Sequence, residues 1–537
     1  MNHVRILRAN QSGESAYSGK TLEERLTGRF YTPEFISDIL YDQLLPLVRD
    51  RGELNVIDPF CGDGRLVVSF LYKARDKLAG KDIRISLWDC DEAAIVVARR
   101  NVEFALAEYG ISGTVAATCG DTFTVAPHHA NSYDLCVTNP PWEAIKPDRR
   151  ELEQLDSSAR ERLIAQLRSF DTNLAELYPL SQPTRKFSGW GTNLARVGTE
   201  LAVKLVRHGG AVGIVCPAAL FADQTSAPLR KWLFEEVAIS DMAYFPAEAR
   251  LFHRVDQPSV CFSGTRGKAT FAIRLDLYNG SRSLHERGSL SAKDIGSQPA
   301  LTIPFQTGLK GLAITSLFSG LPSFGDLENG EEGLWAGREL DETGHQRFLT
   351  DRGKYRFIKG RMIGRFEIVE WPTSFVSLSS PPLPQSVNVE RLVWRDVSRP
   401  NQKRRVQATI IPGEWVAGNS LHVAYFRNNC PLKLRQLLAI TNSLPFEAQA
   451  RSLLSTSHVS LGVIRNVKIP PIDSSADLVQ LCRSRLEGVT GAEAHLEVAV
   501  AKLYGLNRDG FAAVLDLFPK IDATEREVLL SDTLWRI

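Results

Sequence analysis

The segment Asp134-Leu135-Cys136-Val137-Thr138-Asn139-Pro140-Pro141-Trp142 holds the most specific chemistry in this sequence. A strand-length run ends in an amide, two prolines and an aromatic ring. The prolines fix their own backbone angles and carry no N–H, so the turn is rich in acceptors. The Asn139 side-chain oxygen and the Pro140 carbonyl can both accept from one NH2 group. Pro141 stiffens the turn, and Trp142 offers a flat face on which a planar base can stack. Two acceptors matter to an aromatic amine, whose lone pair is delocalised into its ring. Held by both hydrogens, the nitrogen moves toward tetrahedral geometry and its lone pair localises. It can then attack a sulfonium methyl in line. Positioning and electrostatics drive such a step, with no metal and no covalent intermediate.

A sulfonium donor needs a binding site, and three acidic positions upstream could build one. In Val56-Ile57-Asp58-Pro59-Phe60-Cys61-Gly62-Asp63-Gly64 an apolar strand ends in a carboxylate and a Gly-rich turn. Glycines let a ligand approach the backbone at the carboxyl end of a sheet. The turn is neither a GxGxxG fingerprint nor a phosphate loop, because no Gly-Lys-Ser/Thr follows. Asp89, in Leu87-Trp88-Asp89-Cys90-Asp91, stands one strand further on, where a carboxylate can accept from both ribose hydroxyls. Asp121, in Cys119-Gly120-Asp121-Thr122-Phe123, could accept from an adenine amine while Phe123 packs on the ring. Each acid alone also suits a helix cap or a solvated turn. Their repetition at successive strand ends points to a common ligand.

The elements that must position these residues follow from the pattern. Apolar strands at Asn55–Asp58, Ile83–Trp88, Tyr133–Thr138 and Gly210–Cys216 alternate with helical stretches such as Ala93–Tyr109 and Asn193–Arg207. That alternation predicts a doubly wound, Rossmann-like α/β sheet. The expected organisation is an N-terminal extension (1–26), a catalytic domain (27–270), a linker (271–304), an α+β domain (305–472) and a helical tail (473–537). Of 537 residues, 43% are hydrophobic and 23% charged, as in a water-soluble globular protein. No apolar run is long enough to span a bilayer, and no signal peptide is evident. Eight cysteines without a CxxC pair read as buried free thiols, and no metal site is expected.

With these residues assembled, the sequence resembles the gamma-class (TaqI-like) amino-methyltransferases of restriction-modification systems, which methylate N6 of adenine in DNA. The resemblance covers about residues 27–265. It implies S-adenosyl-L-methionine as cofactor and base flipping of the target. It also implies that Gly28-Arg29-Phe30-Tyr31-Thr32-Pro33 is the N-terminal cofactor motif, with Tyr31, Thr32 and Pro33 as cofactor-binding residues and the last two lining the methionine end. Asp58, Pro59, Cys61 and Gly62 match the family's Asp-Pro-x-Cys-Gly motif. Phe60 and Asp63 depart from it, since a small residue and Ser or Thr are usual there. Asp89 and Asp121 take the ribose and adenine roles, with Phe123 beside them, and Asn139–Trp142 is the catalytic motif. The segment Arg250–Asp256 resembles the one whose aromatic covers the other face of the flipped base, which makes Phe252 the candidate.

In this class a recognition domain follows the catalytic one. Between Thr350 and Pro470 there are 18 Lys and Arg against 7 Asp and Glu, in a chain whose net charge is only +2. Such a basic block suits phosphate binding. Lys359, Arg361 and Arg365 lie on one Gly-containing stretch. Arg395, Arg399, Lys403, Arg404 and Arg405 lie on another. Double-stranded DNA is therefore the expected partner, with a separate restriction endonuclease or other defence subunit as a further one. A cytoplasmic monomer in a bacterial or archaeal cell is expected. Two alternatives stand. One is the same chemistry on N4 of cytosine or on RNA; the other is a DNA-specificity subunit without catalysis.

Overall fold

The computed structural model describes residues 32–49, 52–147, 152–183, 190–252, 257–377, 382–399, 402–454, 457–473 and 475–536. The chain divides into two compact units, residues 1–303 and 304–537.

The first unit is built on one nine-stranded sheet. Its strands are β1 (Glu53–Asp58), β2 (Asp82–Asp89), β3 (Ser112–Cys119), β4 (Tyr133–Thr138), β5 (Val206–Pro217), β6 (Val237–Phe245), β7 (Ser259–Arg266), β8 (Ala272–Tyr278) and β9 (Leu284–Ser291). They lie in the order β3-β2-β1-β4-β5-β7-β6-β8-β9. The first five are parallel, and β7 inserts antiparallel between β5 and β6. The chain winds outward from β1 through β2 to β3, then returns to β4 on the other side. A crevice must therefore open where β1 and β4 end. The helices α1 (Glu34–Leu44), α2 (Arg65–Leu78), α3 (Glu92–Glu108), α4 (Ser157–Leu177) and α5 (Leu194–Leu205) belong to this unit. Every residue of β4 is buried, which is why its sequence is so apolar.

The segment 271–304, expected to be a linker, instead extends this sheet. β8 pairs parallel with β6, and β9 pairs antiparallel with β8. β9 is largely exposed, so its sequence carries little of the apolar signal that marks an inner strand.

The second unit is α+β. One four-stranded sheet comprises β10 (Leu334–Gly337), β14 (Arg391–Arg395), β15 (Ala408–Ile411) and β17 (Leu421–Phe426). The other comprises β11 (Leu349–Thr350), β12 (Tyr355–Ile358), β13 (Phe375–Val376) and β16 (Trp415–Ala417). The helices Pro431–Thr441, Leu444–Leu453, Ala476–Leu486, Ala492–Leu503 and Arg508–Leu515 follow. Strand residues Leu392, Trp394 and Phe426 share one core with Leu437, Ile440, Leu496, Val500 and Phe511. The C-terminal helices are thus part of this unit rather than a separate tail. Fold class is as the sequence pattern predicts: a doubly wound α/β unit followed by an α+β unit. All eight cysteines are free, and five of them are buried. Among the described residues no helix is long and apolar enough to cross a membrane.

Candidate active site

The sheet brings the sequence candidates to adjacent strand ends. Asp58 closes β1 and is fully buried. Its Oδ1 accepts the Phe60 N–H at 3.1 Å and the Thr138 hydroxyl at 2.8 Å. Thr138 is the last residue of β4, so this bond ties the Gly-rich turn to the strand that carries Asn139. The other oxygen, Oδ2, is buried and has no hydrogen-bond partner among the described residues. Burial pushes the Asp58 carboxyl from 3.8 to about 7; the Thr138 and Phe60 bonds oppose the rise, and the Asp89 and Asp63 carboxylates add to it. A buried acid with an open oxygen suits a cationic ligand.

The turn after β1 is held from β2. Asp89 Oδ2 accepts the Gly62 N–H at 2.9 Å, and Oδ1 accepts the Asp91 N–H at 2.9 Å. Asp91 in turn caps α3 through the N–H groups of Ala93 and Ala94. Gly64 (φ 79°) starts α2 in a left-handed conformation, and a Cβ there would stand 3.0 Å from the Ala98 backbone. Asp121 caps a short helical turn through the Phe123 N–H at 3.1 Å. Thr122 donates to the Pro59 carbonyl at 2.9 Å. The Phe123 ring is buried and packs on Phe60 with centroids 5.2 Å apart. Phe60, the departure from the family motif, is therefore part of this aromatic wall. Cys61 is buried, and burial raises its thiol well above the usual range. Tyr31 lies outside the described residues; Thr32 is buried and Pro33 precedes α1.

Asn139 sits at the end of β4. Its Nδ2 donates to Thr32 Oγ1 at 3.1 Å, and its Oδ1 accepts the Trp142 indole N–H at 2.9 Å. Trp142 and Phe252 are both buried, and their rings meet at 61° with centroids 4.6 Å apart. The two aromatics expected on opposite faces of a base are thus brought together, but with each other as partner. A base between two parallel rings needs them roughly 7 Å apart, wider than the 4.6 Å between these two centroids.

Two positions escaped the sequence reading. Gly198 lies inside α5, where glycine costs about 1 kcal/mol relative to alanine. A Cβ there would stand 2.4 Å from Pro140 Cβ and 3.1 Å from Phe60. The helix can pack against the Pro-Pro turn only because this residue is glycine, and its presence in a helical pattern was the available signal. Thr138 was the other: a hydroxyl closing an otherwise apolar strand.

The basic candidates of the second unit divide sharply. Arg404 is buried, donating to Glu447 and to Glu497 at 2.8 Å each. Arg405 is 1% exposed. Its side chain donates to Gln306 and to the Ser398 carbonyl, and its backbone N–H to Glu447. Burial lowers the Arg405 guanidinium to about 10. Arg365 is bonded to Glu497 at 3.0 Å and to the Asn442 carbonyl at 2.9 Å. These three arginines build the interior, because each meets carboxylates or carbonyls distant in sequence. They are corrected from DNA candidates to structural residues. Arg395 spends its guanidinium on the Ile363 carbonyl. Lys359 pairs with Glu342, and Lys403 with Glu525. Arg361 pairs with Glu370 at 3.2 Å yet is 68% exposed at its side chain. Arg399 is exposed.

Residues 19–165 match the N-6 DNA Methylase family. No curated protein matches the sequence significantly. The type IIL restriction-modification enzyme MmeI, solved in complex with DNA, aligns over 90% of this chain and 74% of its own, at 13% identity and a TM-score of 0.53. The ATP-dependent type ISP enzyme LlaBIII, solved bound to DNA, aligns over 85% of this chain and 39% of its own, at 10% identity and a TM-score of 0.51. The type IIG restriction endonuclease BpuSI gives a TM-score of 0.40 at 13% identity, over 90% of this chain. The chain spans 64% of the BpuSI chain, less than two thirds. At these identities the likeness is one of fold. In its fold the chain is similar to restriction-modification enzymes, and over residues 19–165 its sequence is similar to the N-6 DNA Methylase family.

Proposed function

We propose that this chain is an S-adenosylmethionine-dependent DNA methyltransferase of the gamma, TaqI-like class. Its substrate is the N6 amine of an adenine turned out of the duplex, and its setting is a restriction-modification or phage-defence system. One juxtaposition supports this best: the Asn139-Pro140-Pro141-Trp142 turn is bonded through Thr138 to Asp58, beside a turn held by Asp89. The acceptors for an amine and the acids for a cationic nucleoside thus share one sheet edge.

The residues fit that cofactor. Asp58 offers a buried open carboxylate oxygen, Asp89 and Asp121 stand at the next two strand ends, and Phe60 and Phe123 form an apolar wall. When bound, S-adenosylmethionine supplies an electrophilic methyl group. Asn139 Oδ1 and the Pro140 carbonyl accept the two amine hydrogens and localise the nitrogen lone pair. Trp142 and Phe252 hold the base by its faces once their rings have parted, and their apolar surroundings keep water out. The second unit reads the duplex, with Arg361, Arg399 and Lys403 as the exposed cations of the two basic stretches. A separate endonuclease would complete a restriction system.

Transfer of tritiated methyl from S-adenosylmethionine to defined duplexes, followed by nucleoside analysis, tests the reading. N6-methyladenine is expected. N4-methylcytosine would overturn the choice of base, label in RNA alone would overturn the substrate, and no transfer to any nucleic acid would overturn the whole.

A further inference from the structure

The Asn139 amide is held at both ends, and the chemistry of its holders decides which way it points. An indole N–H can only donate, so the Asn139 atom 2.9 Å from Trp142 Nε1 must be the oxygen. The NH2 end then faces Thr32 Oγ1 at 3.1 Å. A side-chain amide rotated by half a turn would present a donor to Trp142 and leave two N–H groups facing each other. In a site this buried such a mismatch costs the hydrogen bond on the Trp142 side, whereas the Thr32 hydroxyl, which can donate as well as accept, serves either end of the amide. Trp142 is 6% exposed and Thr32 4%, so neither holder swings freely into solvent.

We propose that Trp142 acts through its N–H as a positioning residue that sets the amide so that Asn139 Oδ1, not its NH2, meets the target amine, while Thr32 holds the other end of the amide in place. This rests on the function proposed above. It adds a role distinct from stacking, since the N–H lies in the plane of the indole while a base would lie over its face. An amide oxygen has two lone pairs, so Oδ1 can keep the Trp142 bond and still accept from a substrate N–H. A phenylalanine at position 142 would stack equally well but would remove the donor that distinguishes the amide oxygen from its nitrogen.

The test compares Trp142→Phe, Thr32→Val and Thr32→Ser with wild type. Four quantities are read: single-turnover methyl transfer, DNA affinity, cofactor affinity and the fluorescence of 2-aminopurine at the target position. Trp142→Phe is expected to slow transfer about five- to tenfold, the worth of one neutral hydrogen bond. DNA affinity and 2-aminopurine signal should stay within about twofold. Thr32→Val should act in the same direction, and Thr32→Ser should restore the wild-type rate. In wild type the Trp142 indole N–H, assigned in 15N spectra by its loss in Trp142→Phe, should shift in Asn139→Ala. A wild-type rate in Trp142→Phe would overturn the lock while leaving the methyltransferase reading intact. So would a loss that appears equally in DNA affinity and fluorescence, which would mean stacking or folding alone. If wild type transfers no methyl to any DNA, both the reading and the lock fall.

Discussion

Replacing Asp58 by asparagine should change how the first unit responds to pH. The Asp58 carboxyl titrates near 7 in the folded chain, against 3.8 when unfolded, chiefly because it is buried. Between those values the unfolded chain has lost the proton while the folded chain keeps it. Stability must therefore fall as pH rises through that window, by about 1.4 kcal/mol per unit and about 4 kcal/mol in all, and level off above pH 7. Below pH 4 the residue has no effect. Asp58→Asn keeps the shape and the acceptor for Thr138 but cannot titrate. Urea unfolding of both proteins between pH 5 and 8.5 isolates the difference, because every other titrating group is shared. The variant should gain on wild type steadily up to pH 7. A cationic ligand near Asp58 should reverse the effect by favouring the ionised form. Binding of S-adenosylmethionine at pH 6 should then release close to one proton, seen as a heat that varies with the buffer, and release none in Asp58→Asn. Parallel stability curves for the two proteins would refute the reasoning, since they would mean that Asp58 is already ionised in the folded state.

Asn139→Ala should abolish methyl transfer and leave cofactor affinity within about twofold, because the Asp89-held turn does not depend on the amide; calorimetry and a transfer assay together check it. Asp89→Ala should weaken S-adenosylmethionine binding by roughly 1.5–3 kcal/mol, the worth of a charged acceptor. It should also loosen the turn whose Gly62 N–H it holds, so unchanged affinity would reduce Asp89 to a turn residue. Arg404→Ala should destabilise the second unit by about 3–5 kcal/mol, because it strands Glu447 and Glu497 in the interior. Lys403→Ala, at an exposed ion pair, should change unfolding by less than about 1 kcal/mol.

Much of the first unit is legible in the sequence because its inner strands are covered on both sides. β1 and β4 read as short apolar runs, and each is followed at once by the residues that stand in the crevice. Asp58, Asp89 and Asn139 could be placed because each breaks the apolar pattern at a strand end; Asp121 follows β3, none of whose residues is buried, and stood out only as the third acid of the series. β9 could not, since only one of its eight residues is buried and no face of it is strongly apolar. The meeting of Trp142 with Phe252, 110 positions apart, and the lock on Asn139 from Thr32 were equally out of reach. Local pattern shows that a residue must be buried or turned, not which distant side chain completes it.

The run Lys403-Arg404-Arg405 makes the same point for charge. Counting cations along the chain treats each as solvated, and the surplus between 350 and 470 then looks like a DNA-binding face. The fold instead draws carboxylates from far along the sequence. Glu447 meets Arg404 and Arg451, Glu497 meets Arg404 and Arg365, and Glu493 meets Arg365 and Arg485. Burial alone would raise the Glu447 carboxyl, yet Arg404 and Arg451 outweigh it and hold it below its ordinary value. An interior network of this kind adds little net stability over an apolar core, but it tolerates the loss of no member. Two of its acids, Glu493 and Glu497, lie in the helix Ala492–Leu503, and the arginines of the basic stretches that they satisfy, Arg365 and Arg404, lie in the loops before β13 and β15. The C-terminal helices therefore neutralise the charges that the basic stretches bring into the core. Removing them would not trim a tail from a recognition unit; it would leave Arg365 and Arg404 buried without their full complement of carboxylates.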